Sequence, residues 1–539
     1  MSERPRHMTY IVRRSPPGGR KKSSGPKLGA GLVLFACVAA SLIFGGLLLT
    51  QGATSAAQGG GVAPVITLLT PVANAQAPLR RTPEPLPPTS TFLPPSPSPT
   101  ALTGAQVESG PTVTYLTQSG DTLAAIAARF GVNPGDIRGA EAFAGQSTLP
   151  PGQPLIIPRV LGETGPADKI VPDSEIIFGP TAADFDAADF ARAQGGYLAR
   201  YRGFVDELTR RGGDVVQAIG QQHSINPRIL LALLEHQSGW VTDPSPEPET
   251  LKRPLGYRHP YRTELNAQLN WAAHQLEIGY YGWRTGTLTE VTFPDGSKLR
   301  LDPTLNAGTV ALQYFFAQLY NRPQWDEAVG YGGLGVTYRR LFGDPFARAF
   351  DVLPANLTQP PLSLPFQRGQ TWFFTGGPHG AWENGGAQAA LDFAPSSLLG
   401  GCTESSAWVT AVAAGRVLRS EAGAVIIDLD GDGRETTGWV IFYFHLADEN
   451  RVAAGALVEQ GDKIGHPSCV GGRSTGTHVH IARKFNGEWV PAAGAVPFNL
   501  EGWVARAGPG EYLGTLERNG FVVEACTCAS AATAVTAGR

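Results

Sequence analysis

Residues 472–489 read GRSTGTHVHIARKFNGEW, and the reading of this stretch decides the architecture of the C-terminal part of the chain. His478 and His480 stand two apart around the β-branched Val479, in an alternating pattern that predicts a strand. Side chains on a strand repeat with a period of two, so both imidazoles are expected on one face. Two imidazoles aimed at one point suit a metal site, where one ring binds the ion and the other handles protons. The same spacing also fits two solvent-facing histidines on an edge strand. The stretch therefore needs partners elsewhere in the chain.

The surrounding segment offers them. Residues 370–518 are Gly-rich, with short apolar runs (AWVTAVAAGRVLR, AVIIDLD, GWVIFYFHL, ALVEQGDKIG, THVHIARKF) between turn signals, which predicts an antiparallel β domain. Five of the ten histidines of the chain lie here: His379, His445, His466, His478 and His480. His379 falls in FFTGGPHGAW and Asp392 in AALDFAP. Two imidazoles and one carboxylate around zinc leave a fourth position open, the pattern of a catalytic site. Water bound there titrates near neutrality and can attack an amide carbonyl. One further imidazole can take its proton, and another can donate to the developing oxyanion.

Other features have plainer readings. His466, beside Pro467, reads as a surface loop residue. Asp428, Asp430 and Asp432 in DLDGDGRE invite a calcium loop, but the twelfth position, which needs Glu, is Trp439, so a hairpin turn is expected. Tyr443 reads as a packed tyrosine, while Trp382 and Trp489 fit a groove or a core equally well.

Working outward, 539 residues exceed what one core can organise, so several domains are expected. The formal net charge of −3 hides a polarised distribution, with eight Lys or Arg against Glu3 in residues 1–27. The acidic remainder excludes nucleic acid as the main partner. Residues 28–50 carry no charge and are long enough to cross a bilayer, with the basic tail inside. The expectation is a single-pass anchor with extracytoplasmic domains in the cell envelope. A secreted form follows if the chain is cleaved near the small residues at Ala73-Asn74-Ala75-Gln76-Ala77. Residues 51–111 are a Pro-rich linker that cannot bury a core. Beyond the apolar segment lie Cys402, Cys469, Cys526 and Cys528, compatible with disulfides in an oxidising compartment. Cys402 and Cys469 flank the metal segment's domain and are paired. Cys526 and Cys528 are too close in sequence for a relaxed bridge and stay unassigned.

Residues 112–158 show a short strand, a helix opened by Asp121-Thr122 and stopped by Gly131, a second helix after Pro134, and the strand LIIP. With GDTL, RFGV and PGQPLIIP, this βααβ segment resembles a LysM module. That resemblance implies binding of N-acetylglucosamine-containing glycans such as peptidoglycan, in a shallow groove beside the helix–strand loops. After a linker (159–182), residues 183–350 turn helical, in ADFARAQGGYLARYRGFVDELTRRG, GGDVVQAIGQQHS, PRILLALLEHQSGW, ELNAQLNWAAHQLEIGYYGW and NAGTVALQYFFAQLY. A hairpin with Asp295-Gly296 at its turn interrupts them. SINPRILLALLEHQSGW resembles the catalytic helix of lysozyme-like lytic transglycosylases, in which a Glu precedes Ser-Gly. Here that position is Gln237, and an amide cannot protonate a glycosidic oxygen. Glu235 lies about 200° round the helix from it. The expectation is a degenerate lysozyme-like domain kept for binding or spacing. A Pro-rich hinge (351–369) leads to the β domain, and residues 519–539 read as a tail.

Residues 370–518 resemble the lysostaphin-type zinc endopeptidases of bacterial cell walls, in particular the β-lytic and staphylolytic branch. The matching features are GGPHG with a distant Asp, YFHL, PSCVGGRSTGTHVHIA and NGEW. Most of the wider family places its first ligand four residues before the Asp, where this chain has Gln388. The β-lytic branch takes its His from the GGPHG loop, which His379 supplies. The resemblance implies His379, Asp392 and His480 as zinc ligands, His445 and His478 as catalytic histidines, and positions for Cys402 and Cys469 compatible with that branch's disulfide. It also implies stem or bridge peptides of peptidoglycan as substrate. The competing expectation is a non-catalytic protein that localises or activates other cell-wall hydrolases; such relatives usually lose metal ligands, and this chain keeps them.

Overall fold

The strand Trp439–Phe444, WVIFYF, shows why the C-terminal strands carry unbroken apolar runs. Ile441 and Tyr443 enter one core and Val440, Phe442 and Phe444 another. A strand covered on both faces has no polar side to alternate with. The computed structural model describes residues 111–205, 208–396, 401–403 and 405–538. The basic tail, the apolar segment 28–50 and the Pro-rich linker lie outside these residues. Among the described residues no helix is long and apolar enough to cross a membrane.

The central sheet is antiparallel and runs Leu457–Val458, Gly415–Glu421, Ala424–Asp428, Trp439–Phe444, Val479–Phe485, Ala390–Pro395, Thr371–His379, Ala534–Thr536. Glu488–Trp489 folds back on Val479–Phe485 as its ninth strand. One face carries the β domain's own core, with Phe374, Leu391, Phe393, Val425, Ile427, Val479 and Ile481. The other face is covered by the helical region, whose core takes in Ala424, Ile426, Ala482 and Trp489. Buried polar bonds lock the layers together. Arg284 Nε lies 3.0 Å from Glu488 Oε1, and its Nη2 is 3.2 Å from Asp173. Tyr281 Oη accepts the Trp489 N–H at 2.9 Å, and Ser224 Oγ donates to Gly487 O at 2.6 Å.

The helical region is built on Glu264–Thr285, packed closely against Ala307–Ala317, with Gly212–His223 and Pro227–Ser238 beside them. Asn226 caps Pro227–Ser238 by accepting the Arg228 N–H at 3.0 Å. The expected hairpin is present as Glu290–Thr292 and Lys298–Arg300, with Gly296 at a φ of 83°. One helical expectation fails: within RYRGFVDELTRRG, Arg202–Val205 and Leu208–Arg211 pair as strands. Phe204 and Leu208 face solvent there, Gly203 weakens a helix, and the β-branched Val205 and Thr209 favour extended backbone over the helix the spacing mimicked.

The N-terminal module keeps the expected order. Thr112–Leu116 pairs with Pro154–Pro158 around the helix Leu123–Phe130, which Thr122 caps. The second helix is reduced to two tight turns, Pro134–Asp136 and Ala140–Phe143. The Pro-rich stretch expected as a hinge is a packed strap, with Val352, Leu357, Leu364 and Phe366 buried. It grips both loops of the N-terminal module. Ser119 Oγ donates to Leu353 O at 3.0 Å and accepts the Leu353 N–H at 2.9 Å. Thr148 Oγ1 donates to Pro354 O at 2.9 Å, and Thr148 O accepts the Asn356 N–H at 3.1 Å. The last residues are structural too: Phe521–Glu524 closes a four-stranded sheet and Ala534–Thr536 forms the edge of the central one.

Candidate functional site

The period-two expectation holds for His478 and His480, which leave the face shared with Ala482. His480 pairs directly with Asp392 on Ala390–Pro395. Gly376 pairs with Asp392 on its other side, and a Cβ there would come within 2.5 Å of the Asp392 carboxylate. Register shifts beyond Gly376 then deliver His379. Alternation would send His445, next after Phe444, to the opposite face. Its φ of 63° turns the side chain back, so that its ring centroid lies 4.6 Å from that of His478.

His379 Nε2 and His480 Nδ1 are 3.1 Å apart, and each is 3.3 Å from Asp392 Oδ1. The remaining ring nitrogens fix the tautomers. His379 Nδ1 donates to Gly377 O at 2.8 Å and His480 Nε2 to Ala381 O at 3.0 Å, because a carbonyl can only accept. Both facing nitrogens then present lone pairs, and Asp392 Oδ1 is buried without a hydrogen-bond partner. Three buried acceptors with no proton among them suit a divalent cation, with backbone carbonyls orienting both rings. Burial pushes the Asp392 carboxyl up, but positive charge on His379 and His478 outweighs it and holds it well below the usual carboxylate range, a charge that a bound cation would supply with both rings neutral.

His478 Nε2 lies 3.6 Å from Asp392 Oδ1, and its Nδ1 donates to Gly476 O at 2.7 Å. His445 Nδ1 donates to Val470 O at 3.1 Å. Burial, then the neighbouring His478 and His480, lowers His445 to about 3, which keeps the ring neutral with a free Nε2 lone pair. Gln388, the first-ligand position of the wider family, is exposed. Tyr512 was not signalled by any motif: it comes from a distant loop, and its ring stacks on His379 at 4.1 Å.

Other candidates resolve into structural roles. Cys402 and Cys469 form a disulfide with Cα atoms 5.7 Å apart. Cys526 and Cys528, left unassigned on grounds of proximity, are also joined, with Cα atoms 5.0 Å apart. Asp428 accepts the N–H groups of Asp430, Gly431 and Gly433, which makes the acidic cluster a hairpin turn. Tyr443 is a packed residue whose Oη accepts the Val412 N–H at 2.8 Å. Trp489 is buried, whereas Trp382 lines the groove that also holds His379, Asp392 and His480. His466 is half-buried on Trp408. Glu235 accepts from Val241 N, Thr242 N, Thr242 Oγ1 and Arg340, while Gln237 links Tyr320 Oη to Leu255 O.

Comparison with known proteins agrees with this architecture. Residues 115–158 match the LysM domain family, and residues 169–356 match the family described as LasA, N-terminal domain. Protease LasA of Pseudomonas aeruginosa (strain UCBPP-PA14) is 29% identical over 297 residues, covering 51% of this chain and 66% of that protein. The chain thus spans just under two thirds of that relative's length. The β-lytic metalloendopeptidase of Lysobacter enzymogenes is 32% identical over 137 residues, 24% of this chain and 71% of that protein. Among solved structures, the deep-sea M23 metalloprotease pseudoalterin aligns at a TM-score of 0.27 and 24% identity, over 31% of this chain and 96% of that one. On the identity to the Lysobacter protein, the chain belongs to the β-lytic branch of the lysostaphin-type metalloendopeptidases, here joined to a LysM module.

Proposed function

We propose that this protein is an exported peptidoglycan endopeptidase that cuts peptide cross-links at a zinc site formed by His379, Asp392 and His480. One observation carries the reading: His379 Nε2, His480 Nδ1 and Asp392 Oδ1 are buried and stand 3.1–3.3 Å apart, with the other nitrogen of each ring against a backbone carbonyl. Ligands around a tetrahedral zinc with bonds of about 2.0–2.1 Å are separated by about 3.3–3.4 Å, which these spacings nearly match. Zinc bound there supplies Lewis acidity toward water and the scissile carbonyl. His445, held neutral with Nε2 free, takes the proton of the attacking water. His478, whose Nδ1 donates to Gly476 O, turns Nε2 toward the reacting centre. With a proton from solvent on Nε2, it donates to the developing oxyanion, and the proton that His445 takes from water passes to the leaving nitrogen.

The two disulfides suit an oxidising compartment outside the cytoplasm. Anchoring through residues 28–50 and glycan binding through the LysM module complete the proposal. The test is digestion of purified peptidoglycan by the zinc-loaded chain, with and without chelator, followed by mass analysis. New amino termini that vanish with chelator and return with zinc support the reading. Sugar fragments in their place, or unchanged cutting under chelation, overturn it.

A further inference from the structure

The groove over the metal centre encloses about 1230 Å³, and two parts of the chain line it. The β domain supplies the histidines, Asp392 and Arg473. The helical region reaches in with Arg262, just ahead of Glu264–Thr285, and with His274 from within that helix. Among the described residues the carboxylates lining the groove are Asp392, beside His379 and His480, and Glu383, whose Oε2 lies 3.5 Å from His274 Nδ1. Arg262 and Arg473 also line it, and among the described residues neither guanidinium has a carboxylate or hydrogen-bond partner. Most other arginines of the helical region are engaged, as Arg284 is with Asp173 and Glu488 and Arg340 with Glu235.

The two unpaired guanidinium groups balance the two carboxylates of the groove, so a divalent ion at the metal position would leave it cationic. Their planar forks match a carboxylate better than any neutral peptide group. We infer that Arg262, with Arg473 from the β domain, selects peptides that carry a free carboxylate close to the scissile bond. The helical region is then a wall of the substrate groove as well as a cover for the sheet. This inference rests on the endopeptidase reading and narrows its substrate class. Arg262 is a specificity residue and takes no part in the chemistry.

The test uses two fluorescein-labelled peptides with amidated C-termini, Gly-Gly-Glu-Gly-Gly and Gly-Gly-Gln-Gly-Gly, which differ in one carboxylate. Binding is read by anisotropy on the zinc-loaded full chain carrying His478→Ala, so that turnover does not intervene. The Glu peptide is expected to bind about tenfold more tightly than the Gln peptide. Arg262→Ala narrows that difference and leaves the Gln peptide unchanged, Arg262→Ala combined with Arg473→Ala erases it, Arg262→Lys keeps part of it, and added salt narrows it. With His478 intact, Arg262→Ala raises KM for the Glu peptide and leaves kcat within about twofold. Equal affinity for the two peptides, or an Arg262→Ala loss shared by both, overturns the inference. Discrimination in binding without cleavage of either peptide would sustain it while counting against the endopeptidase reading. Cleavage of both at one KM does the reverse.

Discussion

The metal centre and the end of the helix Pro227–Ser238 both look catalytic in sequence, and the structure separates them by what their polar atoms touch. At the metal centre, Asp392 Oδ1 is buried without a partner while two imidazole lone pairs face it. At the helix end, Glu235 is fully engaged by Val241, Thr242 and Arg340, and Gln237 bridges Tyr320 and Leu255. Buried polar groups without partners cost about 1–3 kcal/mol each, so a fold retains them where something else completes them. Satisfied groups hold structure together. The contrast supports the proposal that the first site carries the chemistry and the second braces the fold.

The most severe way to break this contrast is to remove a ligand. His480→Ala and Asp392→Asn are each expected to lower peptide cutting about a thousandfold or more, read as new amino termini released from peptidoglycan. A tenfold loss would place the metal elsewhere. Next in size is the buried triad of Glu435, Arg419 and Lys484, which lies on the sheet away from the metal. Glu435→Gln should cost about 3 kcal/mol in a denaturant titration with no change in kcat. Burial raises the Glu435 pKa, but Arg419 and Lys484 outweigh it and bring it from 4.5 to about 2. Its folded pKa is therefore depressed. The stability it contributes is present above about pH 4.5, falls between there and about 2, and should disappear from the acid limb of the variant's stability profile.

Smaller effects sharpen the other side. Glu235→Gln is expected to cost about 1–2 kcal/mol and to leave peptide cutting untouched, while Gln237→Glu should release no sugar products. Glycan cleavage by the latter would make the helix end a dormant active site. Ser119→Ala, which removes both bonds to Leu353 and loosens the strap there, is expected to cost about 1–3 kcal/mol with no change in peptide cutting. Retained chitin-oligosaccharide binding by that variant, stronger than in the parent chain, would show strap and glycan competing for the LysM loops.

Much of this was legible because local signals carried it. The HxH period, the strand runs, the Asp295-Gly296 turn and the LysM order are all encoded within a few residues. His445 joined the site by resemblance only, since period-two alternation points it the wrong way and its left-handed backbone reverses that. The Arg202–Arg211 stretch misled because a helical spacing of apolar residues recurs there on exposed strands. The burial of the sheet's second face by the helical region, the packed strap, and the approach of Tyr512 and Arg262 arise between distant segments. No single stretch announces them. The apparent hinge at 351–369 reflected proline content, while its buried Val352, Leu357, Leu364 and Phe366 mark a packed path.

The most direct test of the account is metal content, measured by mass spectrometry on the purified chain and on His379→Ala, Asp392→Asn, His480→Ala and Glu235→Gln. One zinc per chain in the parent and in Glu235→Gln, with little or none in the three ligand variants, is the predicted result. Stoichiometric zinc persisting in His379→Ala and His480→Ala would contradict it.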